Sequence, residues 1–232
     1  MSRPVLDRLV IGAKRLAKGV LSPILFKYPP VGLHPERLQL WLRSVLESRD
    51  VPGDILEVGC DVCGTSAVTW SMMGRTGIRK RYLCIDTFSG FVDDQFAEDL
   101  SLGNSPRNRY AFAANSEWLA RRVLAQHGAE GVELVRGDMT TMSLDRLPSA
   151  LAVVLIDVDL AIPVYEALRR LTPRVSPGGV VLVDDCPESD DWQARKGYER
   201  FCTEYGFPQT YEYGLGLVRI PRRGREPSSP TP

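Results

Sequence analysis

Two apolar runs in this chain each end in paired aspartates. The runs and their acids are 151–156 with Asp157 and Asp159, and 179–183 with Asp184 and Asp185. An uninterrupted, β-branched run of this length is typical of a strand buried on both faces of a parallel sheet. The carboxyl ends of such strands border the ligand crevice in open α/β sheets. Because clustered carboxylates repel one another unless a cation lies among them, the pattern predicts a divalent metal site at the edge of a nucleotide-binding type of fold.

Strand and helix signals alternate along the middle of the chain. The predicted strands are 54–58, 81–85, 132–135, 151–156 and 179–183, and the predicted helices are 35–49, 65–73, 116–127, 163–171 and 192–205. This order predicts an α/β fold with a doubly wound, Rossmann-like sheet of five parallel strands. Residues 177–179 should form the turn into the fifth strand. Residues 209–213 and 215–220 alternate in polarity around Gly214, which predicts a C-terminal antiparallel hairpin.

The composition suits one domain with short flanking segments. The chain has 232 residues, 44% of them hydrophobic, and equal numbers of basic and acidic residues, 29 each. That balance gives no argument for a nucleic-acid partner. We expect a basic amphipathic N-terminal arm over 1–33, the main domain over 34–220 and a disordered Pro/Ser/Arg-rich tail over 221–232. Residues 87–115 have weak periodicity and are predicted to form a lid.

The N-terminal arm carries basic residues and apolar residues at helical spacing. A helix of this kind can lie on a membrane surface or serve as a targeting peptide. We favour an arm that packs on its own domain or on a sister subunit, which makes a homo-oligomer plausible. We find no signal peptide or long apolar span and therefore expect no membrane span. The scattered cysteines favour a reducing, cytoplasmic location.

The turn after the first predicted strand has features of a nucleoside site. Gly59 and Gly64 permit close approach of a ligand, and the next helix begins there with free N–H groups. Asp86 ends the second strand, where an acid can accept hydrogen bonds from both ribose hydroxyls. After the third strand, Asp138 can bond an adenine amino group and Met139 can pack on the ring. Simple turns are the alternative at both places. The spacing is not G-x-G-x-x-G, which disfavours a dinucleotide enzyme, and the sequence has no P-loop.

Cys60 and Cys63 form a C-x-x-C motif within this turn. Such a motif can bind zinc or carry out redox chemistry. Zinc would need two more ligands, but there is no second C-x-x-C, and the only histidines are His34 and His127. We therefore favour two small turn residues.

Several strings occur together and in order. They are Glu57-x-Gly59 with Gly64, Asp86-Thr87-Phe88-Ser89-Gly90-Phe91, Gly137-Asp138, Leu155 to Leu160, Leu171 to Val180, and Val183-Asp184-Asp185. This set, which spans about residues 50–206, resembles the macrocin-type O-methyltransferases. Members of that family methylate sugars on macrolides and related natural products with S-adenosylmethionine and Mg²⁺.

The resemblance implies roles for these residues. The implied cofactor residues are Glu57 and Gly59 at the methionine end, Asp86 at the ribose and Asp138 near the adenine, together with Gly64, Ser66 and Met139. The implied metal ligands are Asp157, Asp184 and Asp185, and residues 91–115 would cover the acceptor. The acceptor hydroxyl must lose a proton, for which Asp157 is our candidate base and Asp159 the alternative.

Two departures from the family pattern affect these expectations. Cys63 stands where the family usually has glycine, and Ala161, Pro163 and Val164 occupy a stretch that usually carries a tyrosine and a hydroxyl residue. The acceptor therefore need not be a macrolide sugar. We predict a Mg²⁺-dependent O-methyltransferase acting on a hydroxyl of a sugar or other diol-containing natural product, and we expect the acceptor to be a glycosylated small molecule. The alternatives are an NAD(P)-dependent oxidoreductase and a non-catalytic protein that keeps the fold.

Overall fold

A computed structural model describes residues 3–187 and 192–222 of the protein. The strands are β1 Asp54–Val58, β2 Tyr82–Asp86, β3 Glu133–Arg136, β4 Leu151–Ile156, β5 Val175–Val183, β6 Tyr211–Glu212 and β7 Leu215–Arg219. The helices are α1 Arg3–Leu25, α2 Pro35–Glu47, α3 Gly64–Thr76, α4 Asp93–Ser101, α5 Glu117–Gln126, α6 Ala161–Leu171 and α7 Ala194–Tyr205. The predicted tail falls outside the described residues from 223 onwards.

The strands form one sheet in the order β3-β2-β1-β4-β5-β7-β6. The first five are parallel, and β7 and β6 are antiparallel. Alternate residues of β4 face opposite sides, so Val153 packs with α2, α3 and α5, whereas Val154 packs with α6 and α7. The predicted doubly wound sheet with a C-terminal hairpin is thus confirmed.

The turn between β6 and β7 has the backbone conformation of a tight hairpin. Tyr213 (φ 53°) and Gly214 (φ 83°) both have positive φ, as a type I′ turn requires.

Residues 177–179 do not form the predicted turn before β5. They lie within it as an irregularity, because Leu151 pairs with Val175 and Val153 with Val180. Pro177 has no N–H to donate to the ladder, so this stretch bulges away from β4, while Gly178 and Gly179 exchange backbone hydrogen bonds with Ile220.

The segment predicted as a lid contains more structure than its sequence indicated. It includes α4 and a 3₁₀ turn over Pro106–Tyr110. Only Phe96 and Asp99 of α4 are buried, which explains the weak periodicity. Phe91 stacks on Phe96 and also contacts Phe112 and Trp192. These four rings, which we call the aromatic cluster, attach the segment to the domain.

The N-terminal helix α1 lies against α5. The Arg15 guanidinium donates to the Ala113 carbonyl at 2.8 Å, and the Gln126 amide donates to the Phe26 carbonyl at 2.7 Å. Gly19 contacts the Trp118 ring so closely that a Cβ there would lie 2.7 Å from it. None of the described helices combines the length and apolarity needed to cross a bilayer.

Candidate active site

A cavity of about 410 Å³ lies at the carboxyl ends of the parallel strands. Its size suits a small-molecule site. Nine of the predicted site residues line it: Glu57, Gly59, Gly64, Asp86, Asp138, Met139, Asp157, Asp184 and Asp185. The wall also includes Phe91, Phe112 and Trp192 of the aromatic cluster. One continuous cavity therefore joins the glycine turn to the paired aspartates.

The two glycines of the turn are required by close backbone approach. Gly59 has φ 86°, and a Cβ there would lie 1.7 Å from the carbonyl oxygen of Asp157. A Cβ on Gly64 would lie 2.0 Å from the carbonyl oxygen of Pro30. Any larger residue would push β1 from β4, or α3 from the segment before α2. Both glycines thus bring the cavity walls together.

Glu57 is a buried acid at the base of the cavity. Its Oε2 accepts hydrogen bonds from the Tyr82 hydroxyl at 2.5 Å and the Ser66 hydroxyl at 2.8 Å. Burial raises the pKa of Glu57 to about 7, although these two bonds act in the opposite direction. Ser66 lies behind Glu57 and does not line the cavity. Its hydroxyl therefore positions the Glu57 carboxylate and does not itself contact a ligand.

Asp86 and Asp138 already have local partners. Asp86 accepts hydrogen bonds from the backbone N–H groups of Phe88 at 2.7 Å and Asp61 at 3.0 Å. Burial nevertheless raises the pKa of Asp86 to about 7. Asp138 accepts from the Thr140 N–H at 2.8 Å and from the Gln95 amide at 2.9 Å. The bonds to Asp86 connect the ends of β1 and β2, and those to Asp138 connect the end of β3 to α4.

Asp157, Asp184 and Asp185 converge on one point, with a carboxylate oxygen of each within 4.8 Å of the others. We call them the acidic trio. Burial raises the pKa of Asp157 well above its usual range, and the Asp184 carboxylate adds to the effect. Burial and the Asp185 carboxylate raise the pKa of Asp184 to about 7. Three hard oxygen donors whose charges repel one another suit a hard divalent cation such as Mg²⁺.

Arg37 is a site residue that the sequence analysis missed. Its Nη1 lies 2.8 Å from Asp184 Oδ1 and 2.9 Å from Asp185 Oδ1, and its side chain is only 10% exposed. It sits one turn before Leu40 and Trp41 on the buried face of α2. The sequence does carry a signal for this residue, because an arginine occupies a position on the apolar face of that helix.

Asp159 lies on the cavity wall but outside the acidic trio. It has a left-handed backbone (φ 62°), and its carbonyl accepts a hydrogen bond from the Gln193 N–H at 3.1 Å. Asp185 is also left-handed (φ 55°). Aspartate tolerates this conformation better than most residues, and here it turns the chain sharply at the strand ends.

Comparison with known proteins identifies the family. A family model described as Macrocin-O-methyltransferase (TylF) matches residues 32–208. The chain belongs to this family. It is 32% identical over 155 residues to demethyldecarbamoylnovobiocin O-methyltransferase of Streptomyces niveus, a match that covers 61% of the chain and 57% of that protein. It is 28% identical over 158 residues to mycinamicin III 3''-O-methyltransferase of Micromonospora griseorubida, a match that covers 64% of the chain and 60% of that protein.

Solved structures support the same fold. The O-methyltransferase NovP superimposes with a TM-score of 0.70 at 23% identity, covering 81% of this chain and 80% of NovP. Calicheamicin methyltransferase CalS11 gives a TM-score of 0.61 at 18% identity, covering 92% of each chain. At these identities the comparison shows a shared architecture only. The chain also spans less than two thirds of the curated relatives that it matches.

Proposed function

We propose that the protein is an S-adenosylmethionine-dependent O-methyltransferase that acts on a hydroxyl of a sugar or other diol-containing natural product. The observation that carries this proposal is the single cavity in which Gly59 and Asp86 face the acidic trio. Family membership and the names of the curated relatives support the reaction class. The acids around the cavity also suit the positive charge of a sulfonium cofactor.

We propose Mg²⁺ as a second cofactor, held by Asp157, Asp184 and Asp185. When bound, the ion would polarise the acceptor hydroxyl as a Lewis acid. Asp157 is proposed to take the hydroxyl proton on its carboxylate, because it lines the cavity beside the place where the acceptor hydroxyl would lie. The aromatic cluster would exclude water from the acceptor side and hold the acceptor in line with the methyl group.

For the cofactor itself, we propose contacts along the wall of the cavity formed by the first three strands. Glu57 and Gly59 would face the methionine end, and Asp86 the ribose. Asp138 and Met139 would flank the adenine, where Met139 is 3% exposed and offers an apolar surface. Gly64 allows the helix after the turn to approach, while Ser66 acts through Glu57.

We also propose that a second copy of the chain covers the outer face of α1. Four apolar residues at helical spacing are largely exposed there: Leu9 at 59%, Leu16 at 71%, Val20 at 69% and Ile24 at 77%. The Arg15 guanidinium donates a hydrogen bond to the Ala113 carbonyl, and the positive charge of Lys18 opposes the rise that burial causes in the pKa of Asp61. Both basic groups therefore face the domain. The centre of the outer face is therefore apolar, and the same face on a second copy is the apolar partner that we propose for it. The five free thiols support the cytoplasm as the proposed location.

The reaction is tested with purified protein, labelled S-adenosylmethionine and a panel of glycosides with vicinal hydroxyls, with and without EDTA. We expect methyl transfer that chelation abolishes and that Asp184→Ala reduces by at least about a hundredfold. Asp50→Ala, at an exposed acid that does not line the cavity, is the matched control. Transfer that survives both chelation and Asp184→Ala would remove the metal from the proposal. Calorimetry with S-adenosylhomocysteine and NAD(H) tests the cofactor, and binding of NAD(H) alone would favour an oxidoreductase.

A further inference from the structure

Three thiols meet directly beneath the glycine turn. Cys60 and Cys63 belong to the turn between β1 and α3, and Cys84 comes from β2. Their sulfur atoms all lie within 4.8 Å of one another, and each residue is at most 5% exposed. The sequence shows the C-x-x-C pair but not the third thiol, because Cys84 is brought in by the pairing of β1 with β2. We call these three residues the thiol trio.

Each member of the thiol trio has a different position. Cys60 lies on the wall of the cavity and is the thiol that a small molecule can reach. Cys63 lies at the N-terminus of α3 with a left-handed backbone (φ 64°), and its N–H donates to the Cys60 carbonyl at 2.6 Å. The helix N-terminus favours a thiolate there. Cys84 Sγ lies 3.2 Å from the Ser66 hydroxyl.

The charges around the thiol trio favour a disulfide over a bound metal. Glu57, Asp61 and Asp86 all interact unfavourably with a Cys63 thiolate. Three thiolates around one divalent ion would add a further net negative charge next to these acids. A disulfide is neutral, so the same acids do not oppose it.

We propose that the thiol trio is a peroxide-oxidisable site in which Cys60 and Cys63 form a reversible disulfide. The Cys60 thiol passes its proton to the Cys63 thiolate, and the Cys60 sulfur attacks one peroxide oxygen; the O–O bond breaks, and the departing hydroxide takes the proton from Cys63 and leaves as the first water. The Cys63 thiolate then attacks the sulfenic sulfur of Cys60, which forms the S–S bond and breaks the S–O bond, and the departing hydroxide takes a proton from solvent and leaves as the second water. The two sulfurs lose two electrons, and one peroxide is reduced to two waters. Cys84 remains close enough to exchange into the bond.

The disulfide should weaken ligand binding at the part of the cavity proposed to hold the nucleoside. Bonding requires the two sulfurs to approach from within 4.8 Å to about 2.05 Å, which moves the turn that contains them. The Asp61 N–H that bonds Asp86 lies in this turn, directly after Cys60. Oxidation would therefore disturb the position of Asp86, and a ligand that fills the cavity would shield Cys60. These two consequences rest on the proposed function, whereas the disulfide itself does not.

The disulfide is tested on the full-length, pre-reduced protein with stoichiometric hydrogen peroxide, followed by thiol blocking and tryptic mapping. Cys60 and Cys63 share the peptide 50–75, while Cys84 lies in peptide 82–107. We expect peptide 50–75 to lose two hydrogens and free thiols to fall from five to three, both restored by dithiothreitol. Cys186 and Cys202 should remain reduced and serve as internal controls. Five unmodified thiols, oxidation confined to Cys186 or Cys202, or irreversible oxidation of Cys60 would overturn the proposal.

Variants separate the site from its effect on ligand binding. Cys63→Ser should redirect the bond to a cross-link between the two peptides, Cys60 to Cys84, and Cys202→Ser should change nothing. Calorimetry with S-adenosylhomocysteine should show at least about tenfold weaker binding to oxidised than to reduced wild type. A disulfide without that difference would refute the coupling to the cavity. If neither form binds the probe, the proposed function fails, while the mapping still decides the disulfide.

Discussion

Buried acids set the electrostatics of this site at the scale of single residues. Glu57 and Asp86 are held away from water, and burial raises the pKa of each to about 7. The folded chain therefore retains protons that an unfolded chain has already released at the same pH. A positively charged ligand would reverse this, because it favours the ionised carboxylates. The cavity is thus prepared for cationic ligands at some expense to the stability of the empty protein.

Glu57→Gln should make stability less dependent on pH. The pKa of Glu57 rises from 4.5 to about 7 on folding, so its stabilising contribution is complete below 4.5 and lost as pH rises through about 7. Urea unfolding of wild type should give a free energy of unfolding that falls more steeply between about pH 5 and pH 8 than that of Glu57→Gln, by up to about 1.4 kcal/mol per pH unit. Glu130→Gln, at an exposed position, is the control. Parallel profiles for wild type and Glu57→Gln would contradict this account.

Arg37 should act as the resident counter-ion of Asp184 and Asp185 when no divalent cation is bound. Arg37→Gln removes the positive charge that lies between these two buried carboxylates. In EDTA this should lower the free energy of unfolding by on the order of 3 kcal/mol. Added Mg²⁺ should then raise the melting temperature of the variant more than that of wild type, since it replaces the lost charge. Thermal unfolding in EDTA and in Mg²⁺ measures both effects. Arg49→Gln, at an exposed arginine, is the control, and equal Mg²⁺ shifts in Arg37→Gln and wild type would refute this role.

At the scale of elements, α4 is tied to the domain through the start of α6. The N-cap residue Leu160 has no side chain that can cap α6. Instead, Asp99 of α4 accepts a hydrogen bond from the Ala161 N–H at 2.9 Å. Asp99 is fully buried, and burial raises its pKa to about 6. One carboxylate therefore caps one helix and holds another beside the cavity.

Asp99→Ala should loosen the segment that carries α4. Loss of the cap should cost about 1–2 kcal/mol, and α4 should become sensitive to limited proteolysis before the rest of the domain does. Asp99→Asn keeps an oxygen acceptor for the Ala161 N–H and should preserve most of the protection. Mapping the first cleavage sites by mass spectrometry distinguishes the two. If Asp99→Ala resists proteolysis as well as wild type, the aromatic cluster and the Gln95–Asp138 hydrogen bond suffice to hold the segment.

Sequence pattern predicts an element well when the residues of that element alone are enough to determine its structure and burial. β4 is apolar throughout and matches its predicted bounds, and its aspartates fall at the expected edge. Arg37 and Cys84 were missed because their partners are distant in sequence and meet only through sheet pairing or helix packing. Residues 177–179 were misassigned because Pro-Gly-Gly is equally suited to a turn and to a bulge. Local pattern thus located the site, while tertiary contacts supplied its counter-ion and its third thiol.

At the scale of the whole molecule, α1 is unusual for the direction of its apolar face. Amphipathic helices normally bury that face on their own domain. Here Leu16 and Ile24 point outwards, while Arg15 bonds the domain. Burying a helix face of this kind against a second copy would remove apolar surface from water at about 25 cal/mol per Å². The acidic trio and the proposed cofactor residues Gly59 and Asp86 line a cavity of one chain, and covering α1 with a second copy would add stability.

Leu16→Asp combined with Ile24→Asp should shift the protein from dimer to monomer. A charge at two exposed apolar positions opposes contact between copies, whereas the helix itself tolerates it because both positions face solvent. Light scattering coupled to size exclusion measures the mass, and circular dichroism checks that α1 is retained. Leu46→Asp, at a partly exposed position on α2, is the matched control and should remain dimeric. A wild-type protein that is monomeric at all concentrations would refute the second-copy proposal, and binding of that monomer to anionic vesicles would assign the face to a membrane surface instead.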